Sequence, residues 1–129
     1  MLKTIIKMLF PISILLLVGS AWAFEEKDLN RLESTKQCPK CDLKNANLEK
    51  NNLQGAKLSG ADLVGAHLKG ANLANANLTG SNLSDADLTG AYLFNANIFM
   101  TEMNNTDLSG ATWIDGSKCK SGSLGKCLH

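Results

Sequence analysis

The chain has 129 residues, 44% hydrophobic and 5% aromatic, with 13 Lys and Arg against 12 Asp and Glu. That length suits one small domain. A net charge of +1 excludes a strongly basic nucleic-acid binder and a strongly acidic tail.

Residues 1–23 read as a secretory signal peptide. Lys3 and Lys7 form a positive start, Met8 to Val18 is apolar apart from Pro11 and Ser13, and Ala21-Trp22-Ala23 supplies small residues for cleavage before Phe24. The apolar run is shorter than the ~20 residues of a membrane-spanning helix, so the rival reading, an uncleaved anchor, fits less well. Removing Lys3 and Lys7 leaves 11 basic and 12 acidic residues, a net charge of −1. Export implies an oxidising compartment in which cysteines pair.

Residues 24–40 come next. Phe24 to Gln37 predicts a short helix, with Asp28 as its cap and Leu29 and Leu32 on one side. A cysteine lead-in, Cys38-Pro39-Lys40-Cys41, follows.

Residues 41–115 carry an internal repeat of five. One register holds fifteen apolar residues: Leu43, Leu48, Leu53, Leu58, Leu63, Leu68, Leu73, Leu78, Leu83, Leu88, Leu93, Ile98, Met103, Leu108 and Trp113. Two positions earlier the residues are small, as at Ala46, Ala61, Ala71 and Ala86. Between them stand mainly Asn and Asp, and the fifth place is often Gly. A helix cannot use this pattern, because five residues advance it about 140° past a full turn and the leucines would sweep the whole cylinder. Alternation in a strand puts the small residue and Leu on one face and Asn or Asp on the other. The remaining two residues turn the chain. No single block can bury its Leu, so successive blocks must stack as a solenoid around a common axis. The small residue keeps a narrow bore from being overpacked.

Ala46-Asn47-Leu48, Ala61-Asp62-Leu63, Ala71-Asn72-Leu73 and Ala86-Asp87-Leu88 match the Ala-(Asp/Asn)-Leu-x-x motif, and the chain resembles the pentapeptide-repeat family from Cys41 to about Asp115. The lead-in resembles one found in some members. The resemblance implies an all-β fold, a right-handed quadrilateral parallel β-helix with four blocks per coil. Residues twenty apart would then stack in four inner columns, just under four coils or about 18 Å high. The predicted helix would cover the first coil, and Trp113 would close the other end ahead of a tail, residues 116–129.

Four cysteines allow three pairings. Cys38 and Cys41 lie at one end of such a rod and Cys119 and Cys127 at the other, too far apart to bond across it. The expected pairs are Cys38–Cys41 and Cys119–Cys127, local staples of the two ends. A redox Cys-x-x-Cys lacks a surrounding βαβ pattern, and Cys41 fills an inward slot. A covalent haem needs His after the second Cys, where Asp42 stands. A zinc site would require the two ends to meet.

Catalysis has no visible machinery. His67 sits in an outward slot and reads as solvated, and His129 is the last residue. Neither stands beside a nucleophile and an orienting acid. The glycines recur every five residues and serve corners rather than a phosphate loop. No enzyme activity, no cofactor and no metal is expected. Some family members are acidic rods that mimic DNA and bind type II topoisomerases. Here Lys44, Lys50, Lys57 and Lys69 interleave with Asp42, Asp62, Asp85, Asp87, Glu102 and Asp107, which weakens that reading. Val64 is another apolar residue in an outward slot. The better candidate is an outward apolar patch of Tyr92, Phe94, Phe99, Met100 and Ile114, covered either by Leu124 or Leu128 of the tail or by a protein partner or a second copy. The favoured function is an exported, non-enzymatic interaction module of the cell envelope, periplasmic or secreted, with no nucleic-acid partner and no membrane contact after signal cleavage. The alternative is a purely structural or stress-stability envelope protein without a specific ligand.

Overall fold

The structure is a computed structural model that describes residues 26–129. The predicted signal peptide lies outside the described residues. Helix α1 spans Glu26–Thr35, two residues short of the expected span at its described end. Its Leu32 is buried and Leu29 packs beside it against the solenoid core. Asp28 does not cap the helix. Its carboxylate instead accepts the Asp42 backbone N–H at 2.9 Å, so the acid closes an edge group of the first coil rather than a helix terminus.

From Gln37 onward the backbone pairs with itself in parallel at a constant step of twenty residues. Gln37 pairs with Lys57, Asp42 with Asp62, Asn47 with His67 and Asn52 with Asn72, and the series runs on to Tyr92 with Thr112. Twenty residues are four blocks, so each coil has four faces. Leu43, Leu63, Leu83 and Met103 line face 1. Leu48, Leu68, Leu88 and Leu108 line face 2, and Leu53, Leu73, Leu93 and Trp113 face 3. Face 4 holds Leu58, Leu78 and Ile98, with Cys38 beneath them. The ladder therefore starts one block before Cys41, because Cys38 fills a Leu slot and is fully buried.

Three hydrogen bonds per block tie the layers. The Leu43 N–H donates to the Asp62 carbonyl at 2.8 Å, the Asn45 N–H to the Val64 carbonyl at 2.9 Å, and the Asp62 N–H to the Cys41 carbonyl at 2.9 Å. The same three bonds repeat around the rod, so its inner backbone groups are satisfied as burial demands. Apart from Leu53, which is 3% exposed, every Leu of the ladder is fully buried. Ile98, Met103 and Trp113 are only half-buried, because they stand in the last coil with no full layer above them.

Small residues fill the neighbouring inward slots, and here hydroxyls test the packing. Thr101 and Thr106 donate their Oγ1 protons to the carbonyls of Leu78 (2.8 Å) and Leu83 (2.7 Å). Ser81 occupies the equivalent slot, fully buried, and its Oγ has no partner. An unmet buried hydroxyl costs about 1–3 kcal/mol. Ser81→Ala is therefore expected to raise stability by about 1 kcal/mol, read as a higher midpoint in urea unfolding; a lower midpoint would mean that the hydroxyl is bonded in solution.

The corners have one chemistry. The N–H of each following block donates to the carbonyl three residues back, as Ala46 does to Leu43 at 3.1 Å. The residue before that N–H has positive φ, 66° at Gly65 and 55° at Asn45, the geometry of a type II turn. A Cβ at Gly65 would also displace the Asn45 side-chain oxygen of the layer below. Lys40, Lys50 and Met100 hold the same left-handed conformation, at φ 57°, 54° and 56°, without being Gly or Asn, a cost of roughly 1–2 kcal/mol each.

Beyond Thr112 the chain reverses. Lys118 pairs with Thr112 and Leu124 with Asp107, both antiparallel. The tail thus runs back along the last coil over face 3 and then face 2. The disulfides are Cys38–Cys41, with a Cα separation of 5.4 Å, and Cys119–Cys127, at 4.9 Å. Each holds one end of the rod.

Candidate functional site

The outward surface is built from the residue between the small and the Leu position. Wherever that residue is Asn or Asp, its Oδ1 accepts the N–H two residues on, at 2.9 to 3.3 Å: this holds at Asp42, Asn47, Asn52, Asp62, Asn72, Asn77, Asn82, Asp87, Asn97 and Asp107. The side chain satisfies a corner N–H that faces away from the core. Asn and Asp are thus structural at this position, and the positions that lack them stand out: Lys57, His67, Tyr92, Glu102 and Thr112.

Three of these outward groups have shifted acidities. Lys44 lies 3.1 Å from Asp62 and 3.9 Å from Asp42. The hydrogen bond to Asp62, then the charges of Asp62 and Asp42, raise its pKa. Partial burial disfavours the Asp87 carboxylate, but hydrogen bonds from the Thr89 hydroxyl and N–H, helped by Lys69 and His67, hold it below the ordinary aspartate range. Asp115 is lowered by its bonds from the Ser117 hydroxyl and N–H. Lys44 thus offsets part of the acidic column on face 1, where Asp42, Asp62, Asn82 and Glu102 stack. His67 is exposed between Asn47 and Asp87. Among the described residues no group of three or more His, Cys, Asp and Glu is arranged to hold a metal.

The apolar patch is exposed and divided. Tyr92 and Phe94 are in ring contact, with centroids 6.2 Å apart, on face 3 and at the corner between faces 3 and 4. Phe99 and Met100 sit at the next corner, 68% and 73% exposed. Asn95 and Asn97 lie between the two pairs. Ile114 does not belong to the patch in full, since it is half-buried against the core. The tail does not cover these rings either. Its turn at Gly116 lies beside the Phe94 edge, where an added Cβ would be in van der Waals contact with the ring, but Leu124 and Leu128 are themselves exposed. The reversal over faces 3 and 2 carries the tail up onto the rim and away from the flank. Nothing in the five-residue pattern encodes that path.

Comparison with known proteins follows the same register. A family profile described as pentapeptide repeats matches in eight copies, over residues 40–70 and 71–110. Among solved structures the chain is similar to a pentapeptide-repeat protein of the Arabidopsis thaliana thylakoid lumen. The identity is 24% over 70% of this chain and 76% of that one, with a TM-score of 0.38. It is also similar to a pentapeptide-repeat protein of Nostoc PCC 7120, at 32% identity over 68% and 74% with a TM-score of 0.33. HetL, a pentapeptide-repeat protein of Nostoc sp. strain PCC 7120 involved in heterocyst differentiation regulation, is 29% identical over 64% of this chain and 51% of its own length, with a TM-score of 0.34. No curated protein matches. The matched repeats cover more than half of the sequence in the register of the inner columns, and the chain belongs to the pentapeptide-repeat family, with that family's right-handed quadrilateral β-helix.

Proposed function

We propose that this protein is an exported, non-enzymatic scaffold that binds a protein partner in the cell envelope. The observation that carries the reading is the Tyr92–Phe94 ring pair on the flank of the rod, one layer below its carboxyl-terminal coil. Both rings are more than two-fifths exposed, whereas the outward slots of the coils below hold mainly Asn, Asp and other polar groups. Aromatic side chains held rigidly on a polar surface are the usual anchors of protein interfaces. Export is supported by the charged, apolar and Ala-x-Ala sequence of residues 1–23 and by two disulfides with no free cysteine among the described residues.

The test is crosslinking in intact envelopes with the exported protein as bait, alongside a Tyr92→Ser/Phe94→Ser bait. The expected result is one partner recovered by the native bait and lost with the variant. Equal recovery by both baits would overturn the assignment of this surface.

A further inference from the structure

The two disulfides differ in access. At the amino-terminal end Cys38 is fully buried and Cys41 is 2% exposed, and the Cys38 Sγ lies under helix α1, 3.2 Å from the Asp28 carbonyl oxygen. At the other end Cys119 is 3% exposed, whereas Cys127 is only half-buried. Three of the four cysteines are thus shut in, and one is open to an incoming reagent. Thiol–disulfide exchange depends on which sulfur the attacking thiolate can reach. That requirement leaves Cys127 as the single point of entry.

The backbone around this bond is built unequally too. Cys119 is pinned to the rod, since its N–H donates to the Ala111 carbonyl at 2.9 Å and its carbonyl accepts the Gly110 N–H at 3.0 Å. The last bond from the tail to the coils is that of the Gly125 N–H to the Thr106 carbonyl, at 2.8 Å. Past Gly125 the backbone bonds stay within the tail: the Leu128 N–H donates to the Ser123 Oγ at 3.0 Å, and the Leu128 carbonyl accepts the Lys120 N–H at 2.9 Å. Opening the bond therefore loosens only residues 126–129 and leaves the cap seated. The surroundings of Cys127 are basic. Lys118, Lys120 and Lys126 are exposed, and no Asp or Glu follows Asp115. The Lys120 Nζ is drawn to the His129 carbonyl at 2.7 Å, and the His129 Nδ1 lies 4.0 Å from the Cys127 Sγ.

We infer that Cys127 is a site of reversible S-thiolation by a small anionic thiol, with Cys119 as its resolving cysteine. The thiolate of the incoming molecule attacks the Cys127 Sγ. A new S–S bond forms there, the Cys119–Cys127 bond breaks, and its electron pair leaves on the Cys119 Sγ as a thiolate. No net oxidation occurs, because one disulfide replaces another. The reverse step needs nothing from outside: the Cys119 thiolate, held in place by its two backbone bonds, attacks Cys127 again and expels the small thiol. The lysines favour an anionic thiol over a cationic one, by raising its local concentration. The Cys38–Cys41 bond takes no part, since neither of its sulfurs can be approached. The site lies on the tail, so it goes beyond the scaffold proposal, whose surface is the Tyr92–Phe94 flank.

The probe is reduced glutathione, applied to the folded exported protein in mildly alkaline buffer, followed by an acid quench, alkylation and peptide mass mapping. The expected product carries glutathione on Cys127 and an alkylated Cys119, while Cys38–Cys41 opens at least about tenfold more slowly. Two variants hold the intermediate still. With oxidised glutathione, the Cys119→Ser chain should accumulate the adduct on Cys127 at least about tenfold faster than the Cys127→Ser chain accumulates it on Cys119. Lys126→Glu should slow the reaction of the unsubstituted cysteine pair with glutathione by about threefold and leave its reaction with cysteamine, a cationic thiol, no slower. Glutathione found on Cys119 would overturn the inference, as would two disulfides that open at one rate, or a Cys127 that reacts only after the rod is unfolded in urea. A Lys126→Glu chain that reacts with both thiols as before would overturn the preference for an anionic thiol. None of these changes touches Tyr92 or Phe94, so the outcome is read independently of partner crosslinking.

Discussion

Replacing Leu78 by alanine is expected to lower the unfolding free energy by about 3–5 kcal/mol, whereas the same change at Ile98, one layer above on the same face, should cost about half as much. Leu78 is fully buried between Leu58 and Ile98. Its backbone is fixed on both sides, by its own N–H to Asn97 at 2.8 Å and by the Asn77 N–H to Ala56 at 2.9 Å. The layers cannot slide together to fill the hole, so the lost transfer energy and the cavity add. Ile98 is half-buried at the open end and leaves no closed cavity. A small domain is stable by only about 5–15 kcal/mol, so Leu78→Ala removes a large share. Urea unfolding of both variants measures the difference. Equal losses would mean that the core is not layered as described.

Removing residues 117–129 is the second large change. The deletion strips the rim partners of Leu108, Gly110 and Trp113, exposes the buried Ala111, and removes the Cys119–Cys127 bond. The expected result is a fall of about 10–20 °C in melting temperature, taking about 3 kcal/mol for the cap at several degrees per kcal/mol. Concentration-dependent aggregation should accompany it, since all four faces would then offer unpaired edges. The Cys119→Ser/Cys127→Ser variant separates the two contributions. It keeps the antiparallel pairing and loses only the crosslink, worth about 2–3 kcal/mol for so short a loop. If the truncated rod melts like the intact protein and stays in solution, the tail is not a cap.

The inner columns were legible because their period is strict: fifteen apolar residues at one spacing leave a single way to bury them. Four blocks per coil came from the family resemblance, and the twenty-residue pairing now gives it directly. The ends were harder to read, because there the period stops carrying information. Cys38 was taken for a lead-in although it fills an inward slot, since a cysteine bonded to Cys41 does not announce itself as the fourth column's first member. Asp28 looked like a helix cap from its place near the start of an amphipathic stretch, yet its partner is fourteen residues away in another element. Residues 116–129 have no repeat at all, so nothing local told the chain's reversal over faces 3 and 2 from a path down the flank. The covering of Phe94 and Phe99 by Leu124 or Leu128 failed for that reason. The outward Asn and Asp residues were placed on the correct side, but their purpose, accepting a corner N–H two residues on, emerged only with the atoms.

The twenty-residue pairing also means that this molecule is both a ruler and a compass. An insertion or deletion of one block upstream of Tyr92 would leave every layer paired, yet it would swing the bearing of the Tyr92–Phe94 flank by a quarter circle relative to helix α1. Four blocks would change the length by one layer, about 4.8 Å, and restore the original bearing. Length and heading of the displayed aromatic pair are therefore adjustable independently, in whole steps, by arithmetic on the number of repeats alone.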